Sequence, residues 1–304
     1  MTALKKRKLK RAVFIVSFLI IPTVHFIVFY LYVNFNSFLM AFQEEVGGET
    51  IWTLNTMKNM FSRLFPLDAE MREVFRNTFL TFGIQMAMFF VGMFVSYFLY
   101  KKIFLHNAFR VLFFLPSIVS GVVFCNVYIE FLSVQGELAH VIQRMFGMAD
   151  VPELLGSSRY ANAAVLVNMV WMIFPGNLLI WGGTFSRIPD SVTEAARLDG
   201  VNAFQEAFRI IIPIVWPTFA LLFIMQFAGI FSATGNAFLL TGGQHGTKTL
   251  SVWMYLQVYY TAADPRSNLF NMMSALGLVI TLISSVLALS LRKITGKMFA
   301  GVEY

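Results

Sequence analysis

Charge is scarce in this chain. Of its 304 residues, 13% are Asp, Glu, Lys or Arg and 58% are hydrophobic. A soluble domain carries about 25% charged residues to cover its surface, so a water-exposed globular protein of this size is excluded. Cysteine is nearly absent too. Cys125 stands alone inside an apolar stretch, which rules out an internal disulfide and a thiolate metal cluster and leaves it to lipid or core packing. The histidines, His25, His106, His140 and His245, are scattered without metal spacing. No carboxylate pair recurs at helical spacing, and no Ser, Cys or Lys nucleophile stands beside a base, so catalysis by this chain has no support.

Long apolar runs are what the chain does have, with 34 Phe and 17 Met and a mean hydropathy of +0.69. About 20 apolar helical residues cross the hydrocarbon layer. Six segments qualify: 12–33, 77–100, 108–132, 161–185, 214–234 and 271–291. The expected fold is therefore all-α, a polytopic membrane protein of six transmembrane helices. Residues 1–11 form a basic cytoplasmic N-terminus and 12–304 one transmembrane domain. The first run exceeds a signal-peptide core and no small-x-small cleavage site follows, so it reads as an uncleaved anchor.

A net charge of +7 raises nucleic acid as a partner, but the basic residues sit at the ends of apolar runs and form no interleaved patch. They fit the orientation rule of membranes instead. With both termini inside, 15 of the 23 basic residues fall on the cytoplasmic side, among them Lys5 to Arg11, Lys101, Lys102, Arg110 and Arg292 to Lys297. The others, Lys58, Arg63, Arg72, Arg76, Arg144, Arg159, Lys248 and Arg266, fall outside. The aromatic segment from Thr249 to Ala263 is too short to cross and is expected to be an outer interfacial or re-entrant helix.

Pro22, Pro116, Pro175 with Gly176, and Pro217 interrupt the runs; together they point to a bundle that moves around a cavity. Polar groups in or near the runs include Gln85, Asn126, Asn168 and Gln226. Burial of such groups is costly, so they serve either helix–helix hydrogen bonds or a solute. Amides and carboxylates beside aromatic faces suit sugar hydroxyls and C–H surfaces. The candidate substrate residues are Glu130, Trp171, Asn177, Ser232 and Asn236. The run Leu240-Thr241-Gly242-Gly243-Gln244 is like the signature loop of ABC ATPases, and Gly243 to Thr249 like a spoiled P-loop. Thr247, not glycine, precedes Lys248, and a membrane helix precedes the loop, so a flexible outer turn is expected there.

Residues 187–213 read as two short cytoplasmic helices and an elbow. Ser191 and Glu194 have capping-box spacing, with Asp190 the alternative cap. Gly200 suits a left-handed helix end, Asn202 can cap the second helix, and Pro213 would end it. Ala195 and Ala196 leave a small surface for a close partner.

The same segment resembles the EAA loop of ABC importer permeases. Glu194, Ala195, Ala196, Gly200, Ile210, Ile212 and Pro213 fall on the motif, with Ile212 where leucine is usual. Asn77-Thr78, Leu115-Pro116, Ile188-Pro189 and Thr241-Gly242-Gly243 extend the likeness to the carbohydrate-uptake group, and to its maltose F-type member rather than the G-type. Gln244 and His245 depart from the proline usual after Gly-Gly.

The resemblance implies a type I ABC importer permease fold in a bacterial inner membrane, pairing with a second homologous permease. Two ABC ATPase subunits would dock at Glu194, Ala195, Ala196, Asp199 and Gly200 and would bind the ATP and Mg, with no cofactor on this chain and no hydrolysis by it. An external solute-binding protein would deliver a sugar or oligosaccharide. A phosphorylated polyol as solute, an ion-coupled secondary transporter and a membrane scaffold are the alternatives.

Overall fold

A computed structural model describes residues 3–65, 67–147, 151–261 and 268–298. Its contacts divide the chain into two compact units, residues 1–66 with 257–281, and residues 67–256 with 282–304. Among the described residues, six helices are long and apolar enough to cross a membrane: Lys10–Met40, Ala69–Tyr100, Gly121–Phe146, Ala161–Phe185, Ala203–Ala228 and Leu269–Met298. Arg266 and the last two residues of the expected outer helix, Ala262 and Ala263, lie outside the described residues.

The first unit begins with α1, which runs without a break through Ala3–His25, a π-helical Phe26–Tyr32 and Val33–Met40. No residue from 10 to 38 is buried, and Phe14 and Phe18 are 70% and 74% exposed. A helix apolar on every face needs lipid or another chain around it. A hairpin follows that the all-helical expectation did not contain. Strands β1 (Gln43–Val46) and β2 (Glu49–Trp52) pair antiparallel, Gln43 opposite Trp52. Gly47 and Gly48 turn between them, both with positive φ as a tight two-residue turn requires. The hairpin is held at its edge by the start of a later helix. Asn268 exchanges two hydrogen bonds with the Glu45 backbone, and Asn271 Nδ2 donates to the Gln43 carbonyl at 2.9 Å. Helix α2 (Asn55–Leu64) closes the N-terminal part of this unit.

The second unit is the bundle. Helix α3 (Ala69–Tyr100) starts two turns before the expected Asn77, because Asp68 caps it by accepting from the Met71 N–H at 2.7 Å. The third apolar run, expected as one span, is instead two helices, α4 (His106–Ile118) and α5 (Gly121–Leu132). Pro116 already removes one helical donor, and Val119 and Ser120 take extended dihedrals that end the helix. A short α6 (Glu137–Phe146) follows, then α7 (Ala161–Phe185), whose bounds are those expected.

Helices α3 and α7 form the centre of this unit. A Cβ on Gly92 of α3 would lie 2.6 Å from Asn177 Cβ of α7, so only glycine permits this approach. Asn177 Nδ2 donates to the Met88 carbonyl at 3.1 Å and Ser96 Oγ to the Leu178 carbonyl at 3.3 Å. Phe89, Trp181, Phe185 and Phe219 make a buried aromatic core beside them. Cys125 is buried with Val165, Ala237, Leu240, Val252 and Leu256, which resolves its place as core packing rather than lipid contact.

Residues 187–213 hold one short helix and the start of a long one. Helix α8 (Asp190–Leu198) is followed by Gly200 and by α9 (Ala203–Ala228). Pro213 does not end α9. The helix passes through it by way of a π-helical turn over Ala207–Ile211, in which the Ile212 N–H bonds the Ala207 carbonyl. After α9 come a 3-10 turn (Ile230–Ser232), α10 (Ala237–Thr241), α11 (Leu250–Thr261) and α12 (Leu269–Met298). The 12 described residues of α11 span about 18 Å, less than a crossing needs.

Candidate functional site

The elbow is built from local rules. Gly200 has φ +70°, the left-handed cap that lets α8 stop, and the Val201 N–H closes back on the Ala196 carbonyl at 3.1 Å. Asn202 then starts α9 with a complete capping box: its Oδ1 accepts from the Gln205 N–H at 2.9 Å, and Gln205 Oε1 accepts from the Asn202 N–H at 3.2 Å. The capping expectation for α8 fails. Its N-cap is Pro189, Asp190 is already helical, and neither Ser191 nor Glu194 makes a capping bond. Pro189 fixes the entry dihedral, so a side-chain cap is not what starts this helix. Glu194, Ala195, Asp199 and Gly200 are exposed, but Ala196 is 3% exposed and seats α8 on the bundle. The small surface expected from the alanine pair is therefore Ala195 alone. Beside it stand Leu198, 89% exposed, and Phe204, 72% exposed.

A second feature lies where α9 unwinds. Gly229 ends the helix, and Gly235 and Asn236 both take left-handed φ, 59° and 60°. Irregular backbone among membrane helices needs a protein or aqueous surrounding. Here it borders a cavity of about 300 Å³, lined by Ser232, Ala233, Thr234, Gly235 and Asn236, by Thr81 and Gln85 of α3, and by Met169, Met172 and Ile173 of α7. Thr81 and Gln85 are four residues apart and share one helix face. Gln85 Nε2 donates to Gln226 Oε1 at 2.8 Å, and Asn236 Nδ2 to the fully buried Asn168 at 3.1 Å. Among the described residues, no ionisable side chain lines the cavity.

Residues 80–298, which hold both features, match the family model for binding-protein-dependent transport system inner membrane components. The chain belongs to that family. Among curated relatives, it is 23% identical over 283 residues to the multiple sugar-binding transport system permease protein MsmF of Streptococcus mutans, covering 92% of this chain and 94% of that one. It is 29% identical over 149 residues to the maltose/maltodextrin transport system permease protein MalF of Salmonella typhimurium, covering 48% of this chain but only 28% of that one. Among solved structures, a chain of a bacterial alginate ABC transporter in complex with its alginate pentasaccharide-bound periplasmic protein shares the fold, with a TM-score of 0.76 at 18% identity over 96% of this chain and 97% of that one. The chain is thus a multi-pass permease subunit of an ABC importer, a membrane component and not the hydrolytic one.

Of the permease's five expected substrate residues, Ser232 and Asn236 meet at the cavity. The others lie elsewhere. Asn177 is spent on the α3–α7 contact. Trp171, 59% exposed, lines an apolar pocket with Pro116 and Phe174. Glu130 is exposed on α5. Thr81 was not singled out from the sequence, and Gln85 only as one polar residue among many; their four-residue spacing on an apolar helix was the available signal.

The glycine-rich segment is pinned rather than free. Asn77 Nδ2 donates to the carbonyls of Gly246 and Lys248 at 2.7 and 3.1 Å, and Asn162 Nδ2 donates to Asn77 Oδ1 at 3.0 Å. Thr78 Oγ1 accepts from the Leu250 N–H at 2.8 Å, and Lys248 pairs with Glu70 at 2.7 Å. The Asn77-Thr78 pair thus anchors this loop to α3. A helix, α10, leads into it, with no strand before it as a P-loop would need.

Proposed function

We propose that this permease carries a neutral sugar or oligosaccharide across the inner membrane as one of two paired permeases, by alternating access around the cavity between α3, α7 and the unwound end of α9. The observation that carries the proposal is the lining of that cavity: hydroxyls of Thr81, Ser232 and Thr234 and amides of Gln85 and Asn236, without a charged group. Such a set exchanges hydrogen bonds with a polyhydroxylated solute, while a phosphorylated polyol would leave its charge unmatched. The sugar-transport names of the relatives agree with this class.

In this scheme two ATPase subunits, which hold ATP and Mg, dock on the elbow of each permease around Glu194, Ala195, Asp199 and Gly200. A solute-binding protein delivers sugar from outside. ATP favours the state in which the ATPases close, and that difference in affinity turns the bundle outward. Both termini and the elbow face the cytoplasm, and the loop at Gly242 to Gly246 faces out, as the basic asymmetry of the loops requires.

The test is uptake by the purified complex in liposomes with Thr81→Val, Gln85→Met and Ser232→Ala. Each should assemble normally and raise the sugar concentration needed for half-maximal uptake. Three variants that transport as the wild type does would remove the cavity from the pathway.

A further inference from the structure

A side-chain ion pair joins the elbow to the bundle. Glu206 lies in the first turn of α9 with its side chain 4% exposed, and both its oxygens accept from Lys101 Nζ, at 2.6 and 2.7 Å. The partners are 105 residues apart. Lys101 is the C-cap of α3, so each charge sits at the helix end whose dipole favours it. Beside them the Tyr97 hydroxyl donates to the Ala203 carbonyl, at the first residue of α9, at 3.1 Å. The capping box of Asn202 and Gln205 fixes that same turn. Desolvating an ammonium and a carboxylate offsets much of their attraction, so a buried pair of this kind is poorly explained by stability alone. What it does supply is a fixed geometry between two helix ends.

We infer that Lys101 and Glu206 are positioning residues of the coupling step: they form a closed strut that makes the second half of the elbow and the inner end of α3 move as one body. The inference rests on the proposed role of the elbow. Movement imposed there is then delivered to α3 directly, without passing through the length of α7 or α9. From Lys101 to Gln85 and Thr81, α3 is an uninterrupted helix. It carries the displacement about 24–30 Å to the cavity wall. The strut stays closed through the cycle, since opening it would leave a buried carboxylate unpaired.

The experiment uses the complete complex of permeases, ATPases and binding protein in liposomes, read as sugar moved per ATP hydrolysed. Glu206→Gln and Lys101→Met should keep the ATPase stoichiometry and still hydrolyse ATP, while sugar moved per ATP falls about tenfold. Exchanging the charges, Lys101→Glu with Glu206→Lys, should recover part of the loss. In a Cys125→Ala background, Lys101→Cys with Glu206→Cys should be poorly coupled until the thiols are joined by a short bifunctional reagent, and coupled afterwards. Wild-type coupling in the single variants overturns the strut. So does a joined pair that binds ATP and sugar but does not transport, because the contact must then open. If the single variants fail to assemble, the joined pair decides alone. Failure of the wild-type complex to move any sugar would instead count against the proposed function and leave the strut to be read with the true solute.

Discussion

At the scale of single residues, the elbow separates backbone strain from contact. Gly200 is the motif residue whose reason is plainest. Its φ is +70°, and a Cβ built there meets nothing within 4 Å. The chain itself therefore has room for a side chain, and the cost within it is conformational, about 1 kcal/mol for alanine and less for asparagine. Gly200→Ala should then assemble with its ATPase weakly and Gly200→Asn better. Gly200→Val, β-branched, should assemble worst, with sugar binding by the external protein unchanged. The measurement is ATPase stoichiometry in the purified complex, and full assembly and transport by the valine variant would remove the elbow from coupling. Glu194 differs. It caps nothing, so Glu194→Ala should leave the permease's own thermal stability within about 0.5 kcal/mol of wild type. Any loss of transport in that variant belongs to a partner contact. Asn236 is a poor probe by comparison, because it holds a left-handed turn and the buried Asn168 at once, and alanine there would disturb both.

At the scale of elements, the α3–α7 pair shows what the sequence made legible and what it did not. Length and apolarity alone locate the spans, and α7 falls where expected although Pro175 lies inside it, since a long apolar run keeps a helix through one lost donor. The same criterion is blind to the break at Val119 and Ser120 and to the π turn before Pro213, since both keep the run apolar while changing its backbone. It passed over the hairpin as well, although Gly47-Gly48 between short β-compatible stretches is a hairpin signal. The elbow was legible down to Gly200 and Asn202 because caps and left-handed positions are local. Lys101 and Glu206 were not, because nothing local joins residues that meet only in the folded chain. Asn177 illustrates the same limit. Its polarity was visible, yet whether an amide faces a cavity or a neighbouring helix depends on rotation about the helix axis, and here it faces α3. Gly92→Ala should therefore force the two helices apart at the cost of about 1–3 kcal/mol. Asn177→Ala should weaken the same contact by about 0.6 kcal/mol. Detergent-solubilised permease should show both as lowered melting temperature, with sugar concentration dependence of uptake unchanged. A shift in that dependence for Asn177→Ala would return this residue to the substrate path.

At the scale of the whole chain, charge predicts which side of the membrane the loops flanking α9 occupy, and one labelling experiment checks it. The six long helices among the described residues set only parity: six crossings would put both ends on one side, and a crossing α9 would put Gly200 and Gly242 to Gly246 on opposite sides. The sign comes from charge. Cytoplasmic placement of the elbow gathers 15 of the 23 basic residues on one side, and basic flanks are retained inside. Single cysteines at Ala195, which is exposed, and at Gln244, also exposed, probe the two loops without altering a positive-φ glycine. The background is Cys125→Ala, where the small loss of buried volume is tolerable because cysteine and alanine differ little in size. An impermeant thiol reagent applied to intact cells should modify the Gln244→Cys variant and spare Ala195→Cys, and opened vesicles should reverse the protection. Reaction of both from the same side would mean that α9 does not cross. Reaction of Ala195→Cys from outside alone would invert the molecule, and the elbow would then be beyond the reach of any cytoplasmic ATPase.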